Sequence, residues 1–291
     1  MKEFTVGPDA AGQRLDIFVT AQYPQFTRSS LLSLFKNQLI SVNGETQKAG
    51  YKLKLTDSIK VNQDTLMAVP PGIDMPVIYE DDNVVVIDKP GGVLTHSKGA
   101  LNTEATVASF IKDKLNDKQL QGNRAGVVHR LDRHTSGVII TAKNSAALNH
   151  LQKQFSQRKT KKTYIAIVEG ILDPPAAIID APIMRNSRKP QTFMVSAEGK
   201  PAVTSYKLIK SFQKNGQSYS LVELNPQTGR THQLRVHMAY VKHPIVGDIV
   251  YGRGGDKMML HAELLELTLP GGERRIFKSP LPASTKEFAD L

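Results

Sequence analysis

Apolar positions repeat along this chain with a helical period in some stretches and a period of two in others. From Arg14 to Tyr23, Leu15, Phe18 and Val19 recur at helical spacing. After Thr27, whose hydroxyl suits an N-cap, Leu31, Leu32 and Phe35 do the same. Two short helices are expected there. The period then drops to two. Leu39-Ile40-Ser41-Val42 runs into Asn43-Gly44, a dipeptide suited to tight hairpin turns, and Lys52-Leu53-Lys54-Leu55 and Ser58-Ile59-Lys60-Val61 follow. Residues 1–62 therefore read as a small helix-helix-hairpin module. Residues 63–75 include Pro70, Pro71 and Gly72, with Pro76 next, a composition that disfavours helix and central strand and predicts an extended linker.

Residues 76–291 read as a second, larger domain. Strand-like runs at Val84 to Asp88, Val138 to Ala142, Tyr164 to Val168, Tyr219 to Leu224 and Met259 to Leu267 are separated by helical stretches near Thr103 to Leu115 and Asn144 to Gln157. Irregular helix placement and hairpin-like loops predict an α+β fold with a mixed, largely antiparallel central sheet and flanking helices, not a doubly wound one.

Composition narrows the chemistry. With 291 residues, 40% of them apolar, the chain can bury a sizeable core and a smaller accessory one. It carries 38 Lys and Arg against 27 Asp and Glu, a net charge of +11, so a polyanion is the expected partner. No run approaches the roughly 18 consecutive apolar residues of a membrane span, and the opening MKEFTVGPDA has no hydrophobic signal core. A cytosolic protein without membrane contact is expected. Zero cysteines exclude disulfides, thiolate metal sites and cysteine nucleophiles.

Reactive side chains gather in two places. In Gly126-Val127-Val128-His129-Arg130-Leu131-Asp132-Arg133-His134-Thr135-Ser136-Gly137, a carboxylate stands among two arginines and two histidines. Such crowding favours an anion fit for a nucleophile or base, although an Asp among arginines also serves as a loop-stabilising salt bridge. In Gln227-Thr228-Gly229-Arg230-Thr231-His232-Gln233-Leu234-Arg235-Val236-His237-Met238, a helix starting near Thr231 would bury Leu234, His237, Met238 and Val241 as one stripe. Arg235 would project beside that stripe, toward a buried carboxylate or into solvent. The i, i+5 histidine pairs do not share a helix face, so no metal is expected. There is no Walker loop or dinucleotide fingerprint, so no nucleotide cofactor is expected.

Two resemblances add to this reading. "RLDIFVTAQYPQFTRSSLLSLFKNQLISVNG" followed by "KAGYKLKLTDSIKV" resembles an S4-type RNA-binding domain. It departs at Gln38, where Gly is common before the strand, and at Thr56, where Gly-Asp is usual; both are changes of turn chemistry. Arg14, Arg28 and Lys36, with the hairpin lysines, would follow an RNA backbone or form a solvated basic face. "IDKPGGVLTH" (87–96), "GVVHRLDRHTSG" (126–137), "KKTYIAIVEG" (161–170), "NPQTGRTHQLRVHMAYVKHPIVGDIVYG" (225–252), "LHAELLELTLP" and "FKSPLP" resemble, in order, the RluA family of pseudouridine synthases, in its branch with an N-terminal S4 domain.

That resemblance implies a catalytic Asp132, a Tyr164 that stacks on the target base and takes part in proton transfer, and an Arg235 that pairs with the aspartate. It further implies that Arg130 holds a flipped nucleotide, with Arg133 and Arg230 contacting RNA. The implied reaction isomerises uridines of structured RNA, with 23S rRNA as the expected target, without cofactor or metal, in a monomer. Asp132 would act as a nucleophile at ribose C1′ or as a base at C2′. The alternatives are the same chemistry on another RNA, a non-catalytic RNA-binding or ribosome-assembly protein, and a glycosidase or nuclease, which would need a second carboxylate or metal ligands near Asp132.

Overall fold

A computed structural model of the chain describes residues 1–24, 26–66, 68, 70–97, 101 and 103–291. Gln25 of the expected helix pair, and Met67 and Val69 of the expected linker, lie outside the described residues. The chain forms two units. The first comprises Met1–Ile73, His96–Lys112 and Gln121–Ala125, and is discontinuous in sequence; the second comprises Asp74–Thr95, Asp113–Leu120 and Gly126–Leu291.

In the first unit, strand β1 (Lys2–Thr5) precedes helices α1 (Leu15–Gln22) and α2 (Arg28–Lys36), strands β2 (Ile40–Val42), β3 (Glu45–Thr46) and β4 (Ser58–Val61), and the short helices α3 (Gln63–Leu66) and α4 (Val107–Ile111). The sheet order is β1-β4-β2-β3, antiparallel throughout. Thr27 caps α2 by accepting the Ser30 N–H. Asn43 and Gly44 both adopt positive φ, the backbone a two-residue hairpin turn requires. Leu15, Val19, Leu31, Leu34, Ile40 and Ile59 share one core.

Three expectations fail here. Gln63–Leu66 is helical where an extended linker was expected, because the prolines begin only after it. Lys52 to Leu55 is not a strand: Leu53 is buried but Leu55 is 54% exposed, so the alternation has a core to face at one position only. Within the stretch from Thr103 to Leu115, the α-helix is confined to α4, started by a Thr106–Ser109 capping box and followed by a 3-10 turn at Lys112–Lys114.

Gln38 and Thr56, the two non-glycine departures, carry φ of 55° and 69°. The turns thus keep a left-handed backbone that costs an L-residue about 1–2 kcal/mol, most of all a β-branched one. Thr56→Gly is expected to raise stability by about 0.5–1 kcal/mol after glycine's extra chain entropy is counted. A higher urea midpoint at unchanged slope would show it.

Asp16 is buried on α1 and receives both guanidinium forks, Arg14 through Nε (3.0 Å) and Nη2 (3.0 Å) and Arg28 through Nε (3.0 Å) and Nη2 (2.7 Å). The hydrogen bonds from Arg14 outweigh the cost of burial and, with Arg28, hold its carboxyl down to about 2. The arginine side chains are 40% and 51% exposed, so solvent screens the pairs. Asp16→Asn is expected to cost about 2 kcal/mol, below the range for a fully buried pair. Because the folded pKa is depressed, this contribution is present above the ordinary carboxylate range and disappears as the pH falls toward 2. The loss should therefore show in urea unfolding at pH 7 and vanish in strong acid.

In the second unit, β5 (Val77–Glu80), β6 (Val84–Lys89), β7 (Ser136–Ala142), α5 (Ser145–Ser156), β8 (Lys161–Glu169) and β9 (Ala176–Asp180) lead to the small hairpin β10 (Ile183–Arg185) and β11 (Phe193–Val195). Then come β12 (Val203–Lys214), β13 (Gln217–Pro226), α6 (Gln233–Tyr240), β14 (Leu260–Thr268), β15 (Arg274–Lys278) and α7 (Ala283–Ala289). The central sheet runs β5-β6-β7-β14-β8-β13-β12-β9, with β15 on β14. Its described pairings are antiparallel except β7 with β14, so the mixed, largely antiparallel α+β sheet expected from sequence is present. Period two on β8 sends Ala166 and Val168 into a core with Leu234 and Met238 of α6, and Ile165 and Ile167 into another with Ala289 of α7. Where β7 meets β14, Gly137 has φ +114° and a Cβ there would collide with the Ala262 backbone. This close parallel contact fixes the start of β7, four residues after Asp132.

Candidate active site

Asp132 lies in the loop entering β7, and the segment after β6 holds that loop in place. The Thr95 hydroxyl accepts the Leu131 N–H (3.2 Å) and donates to the Leu131 carbonyl (2.9 Å). Gly92 N–H donates to the Arg133 carbonyl at 2.8 Å. Lys89 is fully buried, and its Nζ donates to the carbonyls of Pro90 (2.8 Å), Val93 (2.9 Å) and Arg133 (3.2 Å). Burial pushes its pKa down to about 7, while three acceptors match the three N–H groups of the ammonium form. The residues on both sides of Asp132 are thus fixed by backbone bonds.

The groups facing Asp132 come from α6 and from the residue that precedes it. Arg235 Nη1 lies 3.4 Å from Asp132 Oδ2, and His232 Nε2 lies 3.9 Å from the same oxygen. The neighbours that sequence crowding had assigned to this carboxylate mostly turn elsewhere, since adjacent residues in a loop point in different directions. Arg133 donates to the Gly92 carbonyl (3.3 Å), and His129 accepts the Ile140 N–H and stacks on Phe155. Arg235 makes its shortest bonds to Asp248, Nε to Oδ2 at 2.7 Å and Nη2 to Oδ1 at 2.8 Å. Asp248 Oδ1 also accepts the N–H groups of Val250 and Tyr251. Both side chains are buried. Asp248 therefore sets the plane of the guanidinium and leaves Nη1 for Asp132.

The single buried stripe expected on α6 gives way to burial on every side, from Gln233 through Met238. Gln233 shapes the preceding loop: its Oε1 accepts from Thr228 Oγ1 (2.7 Å) and Arg230 N–H (3.0 Å), and its Nε2 donates to the Val203 carbonyl (2.9 Å) and Thr204 Oγ1 (3.0 Å). His237 is engaged by Thr204 Oγ1 and the Ala181 carbonyl, each at 2.9 Å.

Asp132, Tyr164 and Arg235 line one cavity of about 500 Å³. Tyr164 reaches it from β8; burial, then the charge of Asp132, pushes its phenol pKa up, so it keeps its proton at neutral pH. Arg130 and Arg230 line the cavity, whereas Arg133 turns to Gly92. Arg158 and Lys162 add two cations, and Phe155 an aromatic face. Among the described residues, Asp132 is the lone carboxylate of this lining. Such a cavity fits a nucleoside with its phosphates: one acid for sugar chemistry, aromatic faces for a base, and basic groups for the backbone.

A sequence profile described as RNA pseudouridylate synthase matches residues 83–240, the stretch that contributes most of this lining. The chain belongs to the RNA pseudouridylate synthase family. The ribosomal large subunit pseudouridine synthase D of Borreliella burgdorferi is 37% identical over 97% of this chain and 89% of that protein. The uncharacterized RNA pseudouridine synthase YlyB of Bacillus subtilis is 32% identical over 99% of this chain and 97% of its own. Among solved structures, human RNA Pseudouridylate Synthase Domain Containing 1 superposes with a TM-score of 0.59 at 28% identity, covering 72% of this chain and 85% of that one.

The site of this pseudouridine synthase contains residues to which the sequence reading gave no role. Asp248 and Tyr251 sit in the GDIVYG string, yet no periodicity pairs them with α6. Phe155, Arg158 and Lys162 carry no motif signal beyond the KxY string that contains Lys162. Arg14, Arg28 and Lys36, expected to contact RNA, belong to the first unit; Arg14 and Arg28 share Asp16, and Lys36 is exposed in the last turn of α2.

Proposed function

We propose that this RNA pseudouridine synthase modifies uridines of large-subunit ribosomal RNA, with Asp132 as the reacting carboxylate. The observation that carries the reading is the Asp132 carboxylate 3.4 Å from a buried guanidinium, in a cavity whose other charged lining residues are basic and which also presents the rings of Phe155 and Tyr164. Isomerisation breaks the C1′–N1 bond, turns the uracil, joins C1′ to C5, and moves a proton from C5 to solvent while N1 gains one. It needs no oxidant and no added atoms. Asp132 serves as nucleophile at C1′ or base at C2′, and Arg235 orients it. Tyr164, holding its proton, stacks under the uracil. Arg130 helps hold the flipped nucleotide out of its helix, and Arg230 joins Arg158 and Lys162 in meeting the flanking phosphates.

The first unit is read as an S4-type RNA-binding domain over residues 1–62, joined to the catalytic domain by residues 63–75. The left-handed backbone at Gln38 and Thr56, where that domain type usually has glycine, supports the reading. Arg14 and Arg28, sharing one carboxylate, contribute one net positive charge to it, and Lys36 another. The choice of large-subunit RNA is supported by names such as ribosomal large subunit pseudouridine synthase D in relatives from Borreliella burgdorferi and Xanthomonas campestris.

The test is carbodiimide mapping of pseudouridine in all RNA from cells lacking the protein, complemented with wild type or Asp132→Asn. Loss of defined large-subunit sites, restored by wild type alone, is the expected result. An unchanged large-subunit map with losses in another RNA overturns the target assignment and names the true one.

A further inference from the structure

His232 is held in an arrangement that the chemistry above leaves without a use. It precedes α6 with φ +56° and ψ 20°, a left-handed backbone rare outside glycine, asparagine, aspartate and histidine. Its ring meets Phe193 and Tyr251 edge-on, each at 5.6 Å between centroids. Its Nδ1 lies 2.8 Å from the Tyr251 hydroxyl, and that oxygen accepts the Phe193 N–H at 2.9 Å.

These contacts choose the tautomer. If Nδ1 bore the proton, it would donate to Tyr251, leaving the phenol proton without an acceptor there. The Nε2 lone pair would then face the Asp132 carboxylate 3.9 Å away. With the proton on Nε2, Tyr251 donates to Nδ1 and an N–H dipole faces the anion. The charged groups facing the ring are Asp132, Arg235, Asp248 and Arg130; burial outweighs the pull of Asp132 and pushes the imidazole pKa down, so the ring is neutral at neutral pH.

A separation of 3.9 Å is too long for a hydrogen bond between Nε2–H and Asp132 Oδ2. It is the right width for one oxygen lying about 2.8 Å from each, accepting from the imidazole and donating to the carboxylate. If the substrate supplies that oxygen, it belongs to a hydroxyl. Uracil oxygens, the ring oxygen of ribose and phosphate oxygens accept only, and N3–H donates only. Within an internal ribonucleotide, the 2′-hydroxyl alone does both.

We propose that His232 and Asp132 together bind the 2′-hydroxyl of the target ribose, with Tyr251 as the positioning residue that fixes the imidazole proton on Nε2. The proposal rests on the cavity being the target-nucleoside site. It gives the enzyme a means of distinguishing ribose from deoxyribose at the modified position, separate from recognition of the surrounding RNA.

The test is a cycle of enzyme and substrate changes. The substrate is a synthetic stem-loop carrying whichever uridine the mapping assigns, made with ribose or 2′-deoxyribose at that nucleotide alone. A wrong guess of target RNA therefore changes the oligonucleotide and leaves this test intact. His232→Ala is expected to lower kcat/KM about ten-fold on the ribose substrate, one hydrogen bond's worth, and to leave the deoxyribose substrate within about two-fold. His232→Gln, whose amide N–H can stand near Nε2, should recover most of the loss. Tyr251→Phe should weaken the ribose preference without removing it. Affinities of both oligonucleotides, measured in an Asp132→Asn background, provide the same comparison if the deoxyribose substrate is not turned over. Equal losses on both sugars in a folded His232→Ala enzyme, or no rescue by Gln, would overturn the proposal while leaving the pseudouridine synthase reading in place.

Discussion

Asp132→Asn is expected to lower turnover by at least about 10⁴-fold, as loss of a reacting carboxylate does, while leaving RNA affinity within about three-fold of wild type. The amide nearly matches the carboxylate in shape but is neither a nucleophile for C1′ nor a base for C2′. The fold should not suffer, because Arg235 keeps its shorter bonds to Asp248 and the loop is held by Lys89, Thr95 and Gly92. Affinity should not fall either, since the substitution removes an anion from a cavity lined by Arg130, Arg158, Lys162 and Arg230. Release of tritium from RNA labelled at uridine C5 measures turnover, and fluorescence anisotropy at fixed salt measures binding. Parallel loss of both in a folded variant would show that Asp132 holds RNA and not only reacts with it.

The second large effect is expected at Asp248, which touches no substrate. Asp248→Asn leaves the buried Arg235 guanidinium facing a neutral amide, one of whose ends is a donor, and should cost about 3–5 kcal/mol. Burial opposes the charge on Asp248, but the hydrogen bonds and charge of Arg235, with the N–H groups of Val250 and Tyr251, hold its carboxyl below the ordinary range. The wild-type pair therefore contributes above that range and weakens as pH falls through the folded value, and the Asn variant should lose this acid sensitivity. Activity of the folded fraction should drop about 10²-fold, because Arg235 is freed to turn and Asp132 loses its fixed orientation. Urea unfolding across pH, with kcat measured well below the transition, separates the two effects. Unchanged unfolding free energy would mean that Asp248 is not what holds the guanidinium.

Short-range physics made part of this protein legible. The N-cap at Thr27, the Asn43-Gly44 turn, α5 after Asn144 and the β7 and β8 strands all depend on neighbours a few residues apart, and each stands close to where the sequence put it. Among the strands not foreseen are β1, β5, β9, β10, β11, β12 and β15. β1 is short and mostly exposed, and the second half of β12 is largely exposed, so neither shows a regular apolar alternation.

The sequence by itself determined which chemistry is available: Asp132 before a strand, no cysteine, a basic chain, and motif strings in a fixed order. Tertiary structure decided which groups meet. Asp132 faces Arg235 of a distant helix and His232 just before it instead of its own neighbours, Arg235 is held by Asp248, and Tyr251 hydrogen-bonds His232. Those partnerships arise where α6 packs on β8, β13 and β14 of the sheet, with β7 on the other side of β14. Spacing along a chain encodes periodicity, whereas an ion pair between remote segments depends on how whole elements pack, which local sequence does not specify.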